Sequence, residues 1–228
     1  MLYPLLKYVL IGPVLWVLGR PTVEGAQHIP SSGPVILAGN HLTFVDSLYL
    51  PLVVRRRITF VAKSEYFTGT GIRGALNRWF YKAVGQVPID RSGGDGATGA
   101  LSAATRILAA GGIWGIYPEG TRSPDGRLYK GKTGVMRVAL ATGAPVIPVV
   151  ISGTESVNPR GRRGWRLGRV HIAFCEPLDL SRYRELAMHR AVVRSATDQL
   201  MRELQRKSGQ EYVDSYANRY RTESASDS

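Results

Sequence analysis

Pro34-Val35-Ile36-Leu37-Ala38-Gly39-Asn40-His41-Leu42-Thr43-Phe44-Val45-Asp46-Ser47 decides how the rest of this chain is read. The apolar residues 35–38 read as a buried strand, Gly39 and Asn40 interrupt the run, and Asp46 falls where a following helix would begin. His41 therefore stands just beyond a strand's carboxyl end. On a continuous helix five residues advance about 500°, which would leave the His41 and Asp46 side chains roughly 140° apart. A hydrogen bond between them requires a turn, with His41 in the loop and Asp46 in the first helical turn. There Asp46 could hold one imidazole nitrogen and leave the other free as a general base. Equally open from spacing alone is that Asp46 serves only the helix N-terminus, where a carboxylate is favourable.

Working outward, short β-branched or aromatic runs recur at 58–62, 87–89, 113–117, 146–151 and 170–174, each bounded by Gly, Pro or charge. Between them, residues 97–110 carry Leu101, Ala104, Ile107 and Leu108 at helical spacing, and Gly111-Gly112 supplies a stop. Residues 135–142 read as another helix, ended by Gly143 and followed by Pro145. Such alternation predicts an α/β domain, a mixed sheet flanked by helices, with ligands gathered at strand ends.

The ends of the chain differ from this middle. Residues 2–19 are the most apolar stretch, but Pro4, Lys7 and the Gly12-Pro13 pair interrupt it. A bilayer span wants about 20 largely uninterrupted apolar residues, and no Ala-x-Ala cleavage site follows. The reading is an N-terminal membrane-docking helical segment over 1–19 that lies in the interface. The central domain covers 20–180. Residues 182–207 read as one amphipathic helix, with Val193, Ala196, Leu200 and Leu204 along a face, inside a C-terminal segment of 181–220. The polar residues 221–228 read as a disordered tail.

The chain has 228 residues, enough for one self-sufficient core, and a net charge of +13. Windows 51–91, 119–137 and 155–171 carry that entire surplus. An anionic partner is expected: a phosphorylated substrate, an anionic membrane face or nucleic acid. Cys175, the single cysteine, excludes an intramolecular disulfide and any multi-cysteine zinc site, and His28, His171 and His189 have no partner at metal-ligand spacing. Residues 126–133 satisfy the phosphate-loop pattern GxxxxGK[ST], but a polar turn rather than a strand precedes Gly126. No Gly-x-Ser-x-Gly elbow is present, so Ser47 and Thr43 are poor candidates for a hydrolase nucleophile.

Two further clusters also follow strands. Tyr117-Pro118-Glu119-Gly120-Thr121-Arg122-Ser123 offers a guanidinium fork suited to phosphate and a glycine that permits close backbone approach. Gly85-Gln86-Val87-Pro88-Ile89-Asp90-Arg91 places Arg91 just beyond another strand. Each arginine could alternatively be a solvated surface charge.

In this order the blocks resemble the glycerolipid acyltransferase family of 1-acylglycerol-3-phosphate acyltransferases over about residues 20–180. Asn40-His41 with Asp46 matches the family's first block, His followed by four residues and Asp, Pro88-Ile89-Asp90-Arg91 looks like its second and Pro118-Glu119-Gly120-Thr121-Arg122-Ser123 matches its third. Val146-Ile147-Pro148-Val149 is similar to its fourth, and Lys63-Ser64-Glu65 to a Lys-rich segment between the first two. Tyr117 and the Lys130-Gly131-Lys132-Thr133-Gly134 run depart from the commoner pattern.

The resemblance implies a glycerol-3-phosphate acyltransferase-like fold and an O-acyltransferase of phosphatidic acid and phospholipid synthesis. A fatty acyl group would pass from acyl-CoA or acyl carrier protein to a hydroxyl of lysophosphatidic acid or glycerol 3-phosphate. His41 would be the general base and Asp46 its orienter, while Arg91 and Arg122, with Lys63, would hold the acceptor's phosphate, and Glu119, Gly120 and Thr121 would shape the pocket. No metal or resident cofactor is expected, since the thioester is a co-substrate. The enzyme would sit monotopically on the cytoplasmic face of an anionic membrane and bind no nucleic acid. The rival is a non-catalytic basic membrane- or RNA-binding protein, which explains the charge but not four ordered blocks.

Overall fold

Strand β2 (Val35–Gly39), buried along its whole length, is the fourth of seven sheet strands among the described residues, in the order β1-β8-β7-β2-β5-β3-β4. The computed structural model describes residues 2–63, 70, 71, 74, 86–89, 96–162, 164–186 and 189–218. Its strands are β1 (Thr22–Glu24), β2, β3 (Ile58–Lys63), β4 (Gln86–Ile89), β5 (Ile113–Ile116), β7 (Val146–Ser152) and β8 (His171–Phe174). Neighbours run parallel except β7 and β8, which makes the sheet mixed. A second sheet pairs β6 (Leu128–Tyr129) with β9 (Tyr212–Val213). Arg91, Ser64, Glu65 and the 221–228 tail lie outside the described residues, as does the side chain of Lys63.

Strand residues alternate between two helical layers because successive side chains point to opposite faces. Ile36, Ala38, Trp114, Val146 and Val150 pack with α4 (Gly96–Ala109), α5 (Gly134–Thr142) and α7 (Arg190–Ser208). Val35, Leu37, Ile147, Val149 and Ile151 pack with α2 (Ile11–Gly19), α3 (Asp46–Val53) and α6 (Thr154–Val157). Burial on both faces explains why β2 and β7 read as continuous apolar runs. Helix α7 caps the first layer through Val193, Ala196, Leu200 and Leu204, all at most 5% exposed.

The single helix expected over 182–207 is instead two pieces. A 3-10 segment, Ser181–Leu186, precedes α7, and His189 before α7 has extended backbone. Tyr183 is buried against the α7 layer, so the chain folds back there rather than continuing one rod. Strand β1 has no sequence signal because all three residues are exposed. Its place comes from pairing with β8, Thr22 opposite His171. Within 126–133, Leu128–Tyr129 is an extended strand, so this run does not wrap a phosphate as the decoy motif would.

The N-terminal run is helical throughout: α1 (Leu2–Leu5), a π-helical stretch Leu6–Leu10, then α2. The widened winding precedes Pro13, which has no N–H to donate and whose ring crowds the preceding turn. The Tyr49 hydroxyl donates to Leu15 O at 3.0 Å, and Lys7 Nζ donates to Val54 O. Gly19 lets that phenol approach, since a Cβ would meet the Tyr49 oxygen at 2.2 Å. The opposite face leaves Tyr8, Val9, Val14, Trp16 and Val17 exposed, each by at least half. Among the described residues no helix is long and apolar enough to cross a membrane.

Candidate functional site

Parallel pairing brings the key blocks together. Ala38 of β2 lies opposite Ile116 of β5, so the residues that follow each strand leave the sheet side by side at its carboxyl edge. His41 comes from the loop after β2, and Glu119 from the loop after β5. Lys63 ends β3 on the far side of β5, and Lys63 pairs with Ile89 at the end of β4. The backbone thus lines up four block-bearing strand ends, the usual place for ligands in an open α/β sheet.

His41 Nδ1 and Asp46 Oδ2 are 2.9 Å apart, with Asp46 fully buried and the His41 side chain 14% exposed. Asp46 opens α3, and its carboxylate points back into the loop. Oδ2 also accepts the N–H groups of Leu42 at 2.6 Å and Thr43 at 2.8 Å, while Oδ1 accepts the Thr43 hydroxyl at 3.2 Å. A buried carboxylate needs such donors to replace water. Because Asp46 accepts, Nδ1 carries the imidazole proton and Nε2 presents its lone pair.

Tyr117 fixes the plane of that ring. The two rings stack with centroids 3.9 Å apart and planes 11° from parallel, and Phe60 stacks behind Tyr117 at 5.7 Å. The Ser47 hydroxyl donates to the Tyr117 oxygen at 3.2 Å. Burial, reinforced by the nearby Asp46 charge and opposed by the Ser47 hydrogen bond, holds the Tyr117 phenol well above its usual range. Sequence reasoning noted Tyr117 only as a departure. Its position at the end of a strand neighbouring β2 is what marks it, and that adjacency is not visible in the linear chain.

The 117–123 block is tied to His41 at two points. Glu119 Oε1 accepts the His41 N–H at 3.2 Å and Oε2 accepts the Tyr129 N–H at 2.9 Å, whereas the Ser123 N–H donates to the His41 carbonyl at 2.7 Å. Glu119 is 2% exposed, and its pKa is raised to about 7. Burial is the largest cause, the two N–H donors oppose it, and the Asp46 and Asp125 charges add to it. Gly120 has a φ of 74°, a left-handed conformation that favours glycine and turns the chain outward. Thr121 is half-buried and Arg122 exposed at the loop's tip.

His41, Asp46 and Glu119 are therefore in one bonded cluster, with Gly120, Thr121 and Arg122 on the loop beside it. Asn40 stands in the same sequence block as His41, but its role shows only in the structure. It is 1% exposed, and its amide bridges to β7 by accepting the Ile151 N–H at 2.8 Å and donating to the Ile151 carbonyl at 2.9 Å. Among the described residues no group of three His, Cys, Asp or Glu side chains could hold a metal.

A mixed α/β sheet thus carries a histidine–aspartate pair and a Glu-Gly-Thr-Arg loop on adjacent strand ends. The acyltransferase family model matches residues 20–152, more than half of the chain. The chain belongs to that acyltransferase family. It is 32% identical over 158 residues to a chloroplastic 1-acyl-sn-glycerol-3-phosphate acyltransferase of Arabidopsis thaliana, covering 68% of this chain and 43% of that protein. It is 29% identical over 161 residues to the alpha form of this acyltransferase from Bos taurus, covering 70% of this chain and 54% of the relative. Thus the chain spans about half the length of the curated relatives it matches. The crystal structure of a 1-acyl-sn-glycerophosphate acyltransferase from Thermotoga maritima superimposes with a TM-score of 0.64 at 29% identity, covering 84% of this chain and 73% of that one.

Proposed function

We propose that this chain transfers a fatty acyl group from a thioester, acyl-CoA or acyl carrier protein, to a hydroxyl of lysophosphatidic acid or glycerol 3-phosphate. The supporting observation is the 2.9 Å hydrogen bond between His41 Nδ1 and Asp46 Oδ2, which leaves Nε2 as a base beside a phosphate-suited arginine loop. The names of the relatives agree with a lysophosphatidic acid acceptor.

His41 Nε2 takes the acceptor's hydroxyl proton as that oxygen attacks the thioester carbonyl. The tetrahedral adduct collapses with cleavage of the carbon–sulfur bond, and the imidazolium returns its proton to the departing sulfur. An ester and a free thiol result. Asp46 orients the ring and stabilises its charged form, so the set is a nucleophile, base and orienter whose nucleophile belongs to the substrate. Arg122, with Lys63 and Arg91, complements an acceptor phosphate of roughly −1.5 to −2 charge.

The exposed apolar face of the N-terminal helices supports docking in the membrane interface. The loop between α6 and β8 adjoins that helix end, since the Gly168 N–H donates to Leu18 O at 2.8 Å and the Val170 N–H to Gly19 O at 2.7 Å. It adds exposed Trp165 and Leu167, with the flanking arginines facing anionic headgroups. The Arg166 N–H also ties this loop back, donating to Val157 O at 2.8 Å.

Thiol release from acyl-CoA in the presence of lysophosphatidic acid tests the reading. His41→Ala should lower kcat about 10³- to 10⁴-fold, the upper part of the usual range for general-base loss, while binding to anionic liposomes survives. Wild-type transfer by that variant, or no transfer by the wild type with either acceptor, would return the chain to the non-catalytic binding class.

A further inference from the structure

The family-model match ends at residue 152, yet a residue far beyond it reaches the strand-end cluster. Helix α7 stops at Gly209, whose φ of 70° is left-handed and whose N–H donates to Gln205 O at 2.8 Å. This turn sends the chain back to the carboxyl edge of the sheet, with Gln210 half-buried immediately after it. The Gln210 amide lies between two loops. Its Oε1 accepts from Asn40 Nδ2 at 2.8 Å, and its Nε2 donates to Gly126 O at 2.6 Å. A bonded path therefore runs from Ile151 of β7 through Asn40, next to His41, and through Gln210 to the loop that follows Arg122.

That loop is a self-contained turn. The Gly126 N–H donates to Ser123 Oγ at 2.9 Å, and Asp125 accepts from the Ser123 hydroxyl at 3.3 Å and from the Arg127 N–H at 3.1 Å. Its attachments decide where it sits. The Ser123 N–H donates to the His41 carbonyl near the base, and the Tyr129 hydroxyl donates to Asp125 Oδ2 at 2.9 Å. Gln210 adds the tie at Gly126, and it alone of these joins the turn to the Asn40 side chain next to the base. Elsewhere the C-terminal segment is held without Gln210: β9 pairs with β6, and Arg194 Nη1 donates to Gly131 O at 2.7 Å.

We propose that Gln210 is a positioning residue for acyl transfer. It sets the orientation of the 120–126 loop relative to His41, and so registers the acceptor's phosphate against the base. The inference rests on the reading of His41 as base and Arg122 as phosphate contact. It assigns a specificity role to a segment outside the matched family region.

The test measures CoA release by Gln210→Ala and Gln210→Glu with two acceptors, lysophosphatidic acid and its phosphate-free counterpart, a monoacylglycerol. Gln210→Glu keeps the acceptor for Asn40 and removes the donor to Gly126 O. With lysophosphatidic acid, Gln210→Ala should raise the acceptor KM about tenfold, the scale of one hydrogen bond. The donor KM should hold, and kcat should fall less than the acceptor KM rises. Gln210→Glu should move the same way. With monoacylglycerol the ratio of variant to wild-type kcat/KM should return close to one, which general loosening of the fold would not produce. Equal losses with both acceptors, or unchanged kinetics in an active enzyme, would overturn the proposal alone. Absence of transfer by the wild type would overturn the underlying reading and the proposal with it.

Discussion

Asp46 and Glu119 are buried with both oxygens of each hydrogen-bonded, whereas Arg162, Arg166 and Arg169, in the loop between α6 and β8, are exposed and make no ion pair among the described residues. Both regions carry charge, but to different effect. Buried, hydrogen-bonded carboxyl groups hold a ring, a loop and a strand end in one geometry, and salt reaches them poorly. Exposed arginines beside Trp165 and Leu167 hold nothing in place, and their attraction to anions is long-ranged and screened. Substitutions in the first region should therefore act on turnover at any ionic strength. Those in the second should act on surface binding, and only when salt is low.

The largest effect expected inside this contrast is Asp46→Asn. The amide offers one acceptor where Oδ2 serves three N–H groups, so kcat should fall about 10²- to 10³-fold with acceptor KM nearly unchanged. Steady-state kinetics check this, and a change confined to KM would break the assignment of Asp46 as orienter.

Glu119→Gln should be next, with kcat/KM lowered roughly 10- to 100-fold, because one side-chain oxygen must replace two that serve the His41 and Tyr129 N–H groups. Glu119 also makes stability depend on pH. Its native pKa of about 7 lies above the ordinary value of 4.5, so between these values the folded chain holds a proton that the unfolded chain releases. Folding is favoured below that window, and roughly 3 kcal/mol is lost as pH rises through it. Denaturant titrations from pH 4.5 to 8 should show the decline in the wild type and its absence in the glutamine variant.

Arg122→Ala should raise the acceptor KM about tenfold with kcat less affected, the loss of one charged phosphate contact. If kcat fell more than affinity, Arg122 would belong with the chemistry rather than with capture. The smallest effect should come from Arg166→Glu with Arg169→Glu. Binding to anionic vesicles should weaken, at about 1 kcal/mol per charge removed near the surface, and high salt should erase the difference. Turnover of detergent-dispersed substrate should stay at the wild-type level. A loss of turnover there would erase the proposed boundary between the two regions.

Much of the architecture was legible in the linear chain because the central strands are buried on both faces and are continuous apolar runs. The helix over 97–110 was also legible, from Leu101, Ala104 and Leu108 at helical spacing. Strand β1 and the β6–β9 pair were not, since their two or three residues carry no period. The break before α7 was hidden because Tyr183 fits a helical pattern yet is buried by a fold-back of the chain. In the site, spacing showed that a His41–Asp46 bond needs a turn, and the resemblance of the ordered blocks favoured that bond over a helix-terminus role for Asp46. The roles of Tyr117, Asn40 and Gln210 were not legible, because each acts through a partner distant in sequence.

The sequence by itself determined the alternation of strands and helices, the basic surplus in three windows and the order of the chemical blocks. These follow from local composition and period, which survive without knowledge of contacts. Tertiary structure alone decided that Tyr117 stacks on His41, that Glu119 accepts the His41 N–H rather than facing solvent, and that Gln210 joins Asn40 to Gly126. The physical reason is that parallel pairing of β2 with β5 and the reversal after α7 create neighbours across large sequence separations. Hydrogen bonds and ring contacts depend on those distances to within fractions of an ångström.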